Sequence, residues 1–270
     1  MTATGRWLLA LRAIVGRELL RFIHQRERFL AALVRPLLWL LVFAAGFRAA
    51  LGVSIIPPYE TYIPYELYIV PGLVGMIQLF NGMQSSLSMV YDREMGSMRL
   101  LLVSPLPRWW LLACKLLAGV GVSIVQVYAF LAIAFAFGIE LPPWGYLTLL
   151  PALVVTGLAL GAVGLLLSTT VRQLENFAGI MNFVIFPMFF LSSALYPLWK
   201  MREASVLLWQ ICSANPFTWM VELIRFAAYG RLQPEALGWT LLTLAIALAL
   251  ALRGYSPARG MMPRRAGGSD

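Results

Sequence analysis

Apolar runs of about twenty residues alternate with short charged segments along nearly the whole chain, the spacing of helices that cross a bilayer. Six such runs stand at about 30–51, 67–90, 112–138, 146–170, 176–196 and 236–252. The last is the shortest and lies near the lower limit of ~17 residues for a crossing. Ahead of them, residues 6–28 predict an amphipathic helix lying in the membrane surface. Leu8, Leu11, Val15, Leu19 and Phe22 step by three or four, and Arg17, Arg21, Gln25 and Arg28 line the opposite side. Arg12 and Arg26 fall on the apolar side and blur the pattern. A lead-in helix resting on anionic headgroups and a coupling element both fit this stretch.

The stretch 197–235 is too long for a simple connector and too apolar for a free one. Tyr196-Pro197 opens it, Asn215-Pro216 splits it, and Gly230 precedes Pro234. Between these breaks the pattern predicts two short helices, about 203–213 and 217–229, neither long enough to span. They are expected at the outer surface or dipping partly into it, shielded by protein where the chain turns. The expected fold is all-α: a polytopic membrane protein of six transmembrane helices, an N-terminal interfacial helix, and outer re-entrant helices between spans five and six. It forms one unit over 1–270, with the interfacial helix in 1–29, the spans in 30–252 and a tail in 253–270.

Composition agrees, since 60% of the 270 residues are hydrophobic and only 12% are charged; soluble domains carry about 25% charged residues. The formal charge of +9 does not point to nucleic acid, because the basic residues sit in alternate connecting segments. With the N-terminus inside, fifteen of the 21 Lys and Arg fall on the cytosolic side. Five (Arg48, Lys200, Arg202, Arg225, Arg231) fall outside, and Arg35 lies within the first span near its inner end, where it could snorkel. Both termini are therefore expected in the cytosol of a cell whose inner membrane holds the chain. The Arg-rich start lacks the small-residue cleavage site of a signal peptide. Cys114 and Cys212 fall on opposite membrane faces, which disfavours a disulfide or metal site between them.

Chemistry is sparse. Cys114 and Trp199 precede the two lysines, Lys115 and Lys200, so there is no Gly-Lys phosphate loop. His24 stands alone among arginines, and Ser85, Ser86, Ser88, Ser168, Ser192 and Ser193 have no nearby histidine base. Such hydroxyls in apolar spans usually bind backbone or pack helices. Glu66, Glu140 and Glu175 lie at span edges, so the spans lack the buried acids of an ion-coupled carrier. The chain is expected to be neither an enzyme nor self-powered.

One polar stretch needs a partner. Asp92, Arg93, Glu94 and Arg99 fall in the loop 91–108, which closes with Ser104-Pro105-Leu106-Pro107-Arg108. It fits a solvated loop that only sets topology. It also fits a short helix docking in a groove of a cytosolic subunit, with Glu94 and Arg99 facing polar groups, Met95, Met98 and Leu102 packing, and Gly96 permitting close approach. Within the spans, Gln78, Asn81, Gln84 and Ser88 recur at three- or four-residue steps, a polar stripe that wants a protein or aqueous neighbour. Cavity lining and structural hydrogen bonding are both open there. Phe183, Phe186 and Phe190 share one face of the fifth span beside Asn182 and Pro187, placed either to pack or to meet cargo.

The chain resembles the membrane subunits of ABC-2 type (type V) ABC exporters. The residues that carry this are Asp92-Arg93-Glu94-Met95-Gly96, Arg99, Leu100-Leu101-Leu102-Val103-Ser104-Pro105, Leu191-Ser192-Ser193-Ala194-Leu195-Tyr196-Pro197 and Asn215-Pro216-Phe217. The resemblance implies a permease acting as a pair of six-span halves, with itself or a paralogous permease, together with two copies of a separate cytosolic ATPase. ATP and Mg would bind that ATPase, and no cofactor would bind this chain. It further implies ATPase coupling through Asp92, Arg93, Glu94, Gly96 and Arg99. An outer gate would lie around Tyr196, Pro197, Asn215 and Pro216. A path between spans two and five would be lined by Gln78, Asn81, Gln84, Asn182, Phe183, Phe186 and Phe190. An amphipathic or hydrophobic cargo is expected. The competing expectation is an ATP-independent assembly factor or secondary carrier.

Overall fold

The computed structural model describes residues 3–24, 26–47, 52–53, 57–94, 107–171 and 174–254. Among these the chain is almost wholly helical. Helix α1 (Ala3–His24) is followed by α2 (Arg26–Phe47), and a minimal antiparallel ladder pairs β1 (Gly52–Val53) with β2 (Ile63–Pro64). Helix α3 (Tyr65–Glu94) then runs for 30 residues, about 45 Å. It is followed by α4 (Arg108–Ala136), α5 (Gly145–Thr170) and α6 (Leu174–Phe190). Three short helices come next, α7 (Leu198–Ala204), α8 (Val206–Ala214) and α9 (Pro216–Ala228), before the long α10 (Pro234–Gly254).

Among the described residues three helices are long and apolar enough to cross a membrane: Trp109–Ala136 within α4, α5 and α10. Shorter apolar helical stretches occupy Ala32–Phe43 and Gly179–Phe190. The length of α3 suffices for a crossing, and its Gln, Asn and Ser residues lower its hydropathy.

The core sits where α3 meets α5. Tyr68, Ile69, Leu73, Met76, Leu79 and Met83 of α3 are fully buried, as are Leu149, Leu153 and Leu160 of α5. Two glycines make that approach possible. A Cβ on Gly82 would lie 2.8 Å from the backbone carbonyl carbon of Leu160, and one on Gly164 would lie 2.6 Å from the Gly82 carbonyl oxygen. Backbones this close exchange dispersion contacts that bulkier residues would forbid. The α10 helix lies at the edge, with Leu241, Leu242 and Ile246 exposed.

Several boundaries differ from the sequence expectation. Arg26 and Arg28 belong to α2 rather than to the interfacial helix, which is why Arg26 spoiled its amphipathic pattern. In α1, Trp7 packs on Trp109 and Trp110 at 5.4 and 5.3 Å, and the indole N–H of Trp110 donates to the Trp7 carbonyl at 3.3 Å. That contact ties α1 to the start of α4. The fifth helix ends at Phe190 instead of 196, because the chain leaves the helix and turns through 191–197. The outer stretch holds three short helices rather than two. Ser205 adopts an extended conformation, and its hydroxyl accepts from the Leu208 N–H at 3.4 Å, which starts α8 anew.

Candidate functional site

The polar groups fall at three depths, all touching α3. Its inner end carries the charged stretch. Helix α3 continues through Asp92 and Arg93 to Glu94, so these three extend a rigid rod; Gly96 and Arg99 lie outside the described residues.

At mid-length, the polar stripe divides into two uses. Gln78 is 1% exposed; its side-chain N–H donates to the Leu153 carbonyl at 2.8 Å, and its oxygen accepts from the Thr156 hydroxyl. It is therefore a structural bridge from α3 to α5. Thr156 could be recruited because it shares the buried face of α5 with Leu149 and Leu153, one helical turn apart. Asn81 donates to the Gln126 side-chain oxygen of α4. Gln84 lines a cleft with Asn81, Gln126 and Arg35. The side chain of Ser88 lies outside the described residues.

The aromatic stripe of α6 does not pack inward. Phe183 is 79% exposed, Phe186 43% and Phe190 42%, and Asn182 is exposed beside them. Phe186 meets Phe80 of α3 edge-on at 6.4 Å, and Phe190 meets Trp39 of α2 at 5.6 Å. The face between these contacts is uncovered by the described residues.

The outer end is the most elaborate. The turn 191–197 frees carbonyls from helical partners, and those of Leu191, Ser193 and Leu195 are met by side chains. Asn215 donates to the carbonyls of Met188 at 2.8 Å and Leu191 at 2.6 Å, while its own oxygen accepts from the Phe217 N–H at 3.0 Å. One residue thus finishes α6 and caps α9, and Pro216 fits the first helical position beside it. The Ser193 carbonyl accepts from Tyr68 at 3.0 Å and from the Arg225 guanidinium at 2.8 Å, and the Leu195 carbonyl accepts from Tyr65 at 2.6 Å. Ser192 bonds back to the Phe189 carbonyl at 2.6 Å and accepts from the Ala194 N–H at 3.2 Å. Tyr196 is half-buried and Pro197, which starts α7, is buried. A Cβ on Gly72 would overlap the Ala194 backbone, so the turn rests directly on α3.

Arg225 is the residue that sequence reasoning misassigned. Counted as an outer topology charge, it is 3% exposed, ion-paired with Glu222 and stacked 4.1 Å over the Tyr68 ring. The visible signal was the spacing of Glu222 and Arg225, three residues apart on one helical face. Beyond it, Tyr229 packs edge-on against Tyr59 at 4.9 Å, and Arg231 pairs with Glu60 across the outer surface. Burial pushes the Tyr229 phenol up to about 12, with Arg225 opposing.

Among the described residues no group of His, Cys, Asp and Glu is placed to hold a metal ion, and Cys114 and Cys212 are free and buried. A helical bundle with long apolar helices, polar residues spent on its own backbone and an uncovered aromatic face defines a multi-pass membrane protein. The ABC-2 type transporter family profile matches residues 10–229, and the chain belongs to that family.

Among its relatives, a protein of Escherichia coli K12 named as a multidrug ABC transporter permease, YbhR, is 33% identical over 129 residues. That match covers 47% of this chain and 35% of the relative. Proteins named as the transport permease ycf38 are 29% identical over 130 residues in Cyanophora paradoxa and 28% over 186 in Porphyra purpurea. These cover 46% and 68% of this chain, and 42% and 62% of the relatives. The matched region thus spans less than two thirds of each relative.

Proposed function

We propose that this chain is the membrane-spanning half of an ATP-driven exporter, moving an amphipathic or hydrophobic cargo outward. On this reading residues 1–270 form one transmembrane unit of six spans, with α3 as the second and α2 and α6 as the first and fifth. It sits in a bacterial inner membrane with both termini cytosolic. It pairs with a second copy or a paralogous permease, and a separate ABC ATPase supplies hydrolysis with its own ATP and Mg.

The observation that carries the reading is α3 itself. One continuous helix joins the charged inner end at Glu94 to the outer clamp at Tyr65 and Tyr68. A pull on the inner loop through Asp92, Arg93, Glu94, Gly96 and Arg99 would pass along α3 from Glu94 toward the turn 191–197, with Pro71 as the one helix-internal proline on the way. Closure of the ATPase pair would rock the halves, provided its contacts with the loop differ between the two states. The outer clamp around Tyr196, Pro197, Asn215 and Pro216 then serves as the seal. The uncovered Asn182, Phe183, Phe186 and Phe190 face the partner half or the cargo path.

The test is co-purification of the full chain with its cognate ABC ATPase, and ATP turnover of the pair in nanodiscs. Wild type retains the ATPase and Glu94→Arg loses it while keeping its own thermal unfolding midpoint. Equal retention by both, or full-rate transport by vesicles holding this chain alone, overturns the reading.

A further inference from the structure

The cleft between α2, α3 and α4 holds a cation, Arg35, with no counter-charge among the described residues that line it. Arg35 lies three residues into the apolar stretch Ala32–Phe43 of α2, roughly 5 Å along the helix. Instead of snorkelling, its guanidinium lies 3.8 Å over the ring of Phe80, at the middle of α3. Among the described residues no carboxylate or carbonyl bonds it, and no Asp or Glu lines the cleft. A guanidinium beside an apolar stretch, with no carboxylate against it among the described residues, favours an anion.

The neighbours supply the rest of such a site. Gln126 is buried and gives its oxygen to Asn81, which leaves its own N–H groups unspent at the cleft. Gln84 makes no hydrogen bond among the described residues and lines the same space. The cleft measures ≈ 140 Å³, where a single water needs only ~10–15 Å³. Its remaining wall is apolar, from Met76, Ile77 and Phe80, and Arg35 is itself exposed beside the exposed apolar Val34 and Leu38. Donors deep within and an apolar wall match a ligand with a negative head and a hydrocarbon tail.

We infer that Arg35, Gln84 and Gln126 form an intramembrane site for the phosphate or carboxylate head of an amphipathic molecule entering from the bilayer. The guanidinium supplies charge and a forked set of donors, and the two amides fix the head's position. The site is set by this chain's own residues and does not rest on ATP-driven export.

The test is equilibrium binding of radiolabelled dodecyl phosphate to the full chain in zwitterionic phosphatidylcholine nanodiscs. One saturable site per chain is expected. Arg35→Gln should weaken it at least ~10-fold, Gln84→Leu by ~3-fold or more, and Arg35→Lys should retain most of it. Dodecyltrimethylammonium should not compete, and neither should inorganic phosphate in the millimolar range. Displacement by added phosphatidylglycerol assigns the head to a membrane lipid; its failure to displace assigns it to a non-lipid amphiphile. Unchanged binding in both Arg35→Gln and Gln84→Leu, or equal competition by the cationic amphiphile, overturns the site. Competition by inorganic phosphate alone overturns the amphiphile. Because the side chain of Gln84 makes no hydrogen bond among the described residues, Gln84→Leu should unfold at the wild-type midpoint, and Arg35→Gln should lose only its one contact with the Phe80 ring. Loss of ATPase capture by Glu94→Arg should leave this binding unchanged, so the two readings fail separately.

Discussion

Replacing Arg225 by Met tests how much of the outer seal rests on one side chain. The substitution keeps the length of the aliphatic stem but removes the donor to the Ser193 carbonyl, the ion pair with Glu222 and the stacking over Tyr68. Breaking a buried pair from one side costs ~3–5 kcal/mol, mostly through the charge left behind. The Glu222 side chain is 15% exposed, so partial hydration places the cost near the lower end, about 3 kcal/mol. At ~2–4 °C per kcal/mol for a chain of this size, the unfolding midpoint should fall by about 6–12 °C. Glu222→Gln alone should cost less, about 1–2 kcal/mol, because Arg225 keeps Ser193 and Tyr68. In the double variant no carboxylate is stranded, and its loss should fall short of the summed single losses by about 1–2 kcal/mol. Thermal unfolding of the purified chain in one detergent, followed by tryptophan fluorescence at one scan rate, gives all four midpoints. A drop below about 2 °C for Arg225→Met, or strict additivity in the cycle, refutes the clamp.

Two further outcomes follow from other parts of the fold. Gly82→Val should sharply lower the folded yield, because its Cβ would meet Leu160 backbone that cannot move aside. Gly238→Ala, with nothing within 4 Å of the added carbon, should be neutral or stabilising by up to ~1 kcal/mol; fluorescence-detected size exclusion distinguishes the two. Folding raises the Tyr229 phenol from 10.0 to about 12, so the folded state holds that proton more tightly. Its stabilisation should be complete below pH 10 and vanish as pH climbs through about 12. Unfolding midpoints against pH should therefore fall more steeply above pH 10 in wild type than in Tyr229→Phe, and equal slopes would refute it.

The long helices were legible because hydropathy alone marks them: α4, α5 and α10 fall within a few residues of the expected spans. The breaks at Pro197 and Asn215-Pro216 were legible for a local reason, since proline and an asparagine cap act on the residues beside them. What was hidden depends on distant partners. The end of α6 at Phe190 is set by Asn215, 24 residues after Leu191 in the chain, and no pattern within the fifth span announces it. A charge tally gives Arg225 the same weight as a surface arginine, although it is paired and buried. The polar stripe of α3 showed its period but not its division of labour, because Gln78 and Gln84 differ only in whether Thr156 or an open space lies opposite.

That division bears on how motion could travel. Gln78 fixes α3 to α5 by side-chain bonds to Leu153 and Thr156, and Gly82 fixes it by backbone contact four residues on. A rod pinned to its neighbour at mid-length cannot slide far along its axis without breaking buried hydrogen bonds, which costs ~1–3 kcal/mol for each group left unpaired. It can move with α5 as one body. The moving unit is then the α3–α5 pair. On the proposed mechanism, relative motion would then be taken up where α3 meets α4 at the Asn81–Gln126 contact and α2 at the Arg35 cleft. An anionic head bound in that cleft would bridge the two sides of that junction. The same site that recognises such a molecule would thereby bias which of the two arrangements the inner loop and outer clamp adopt.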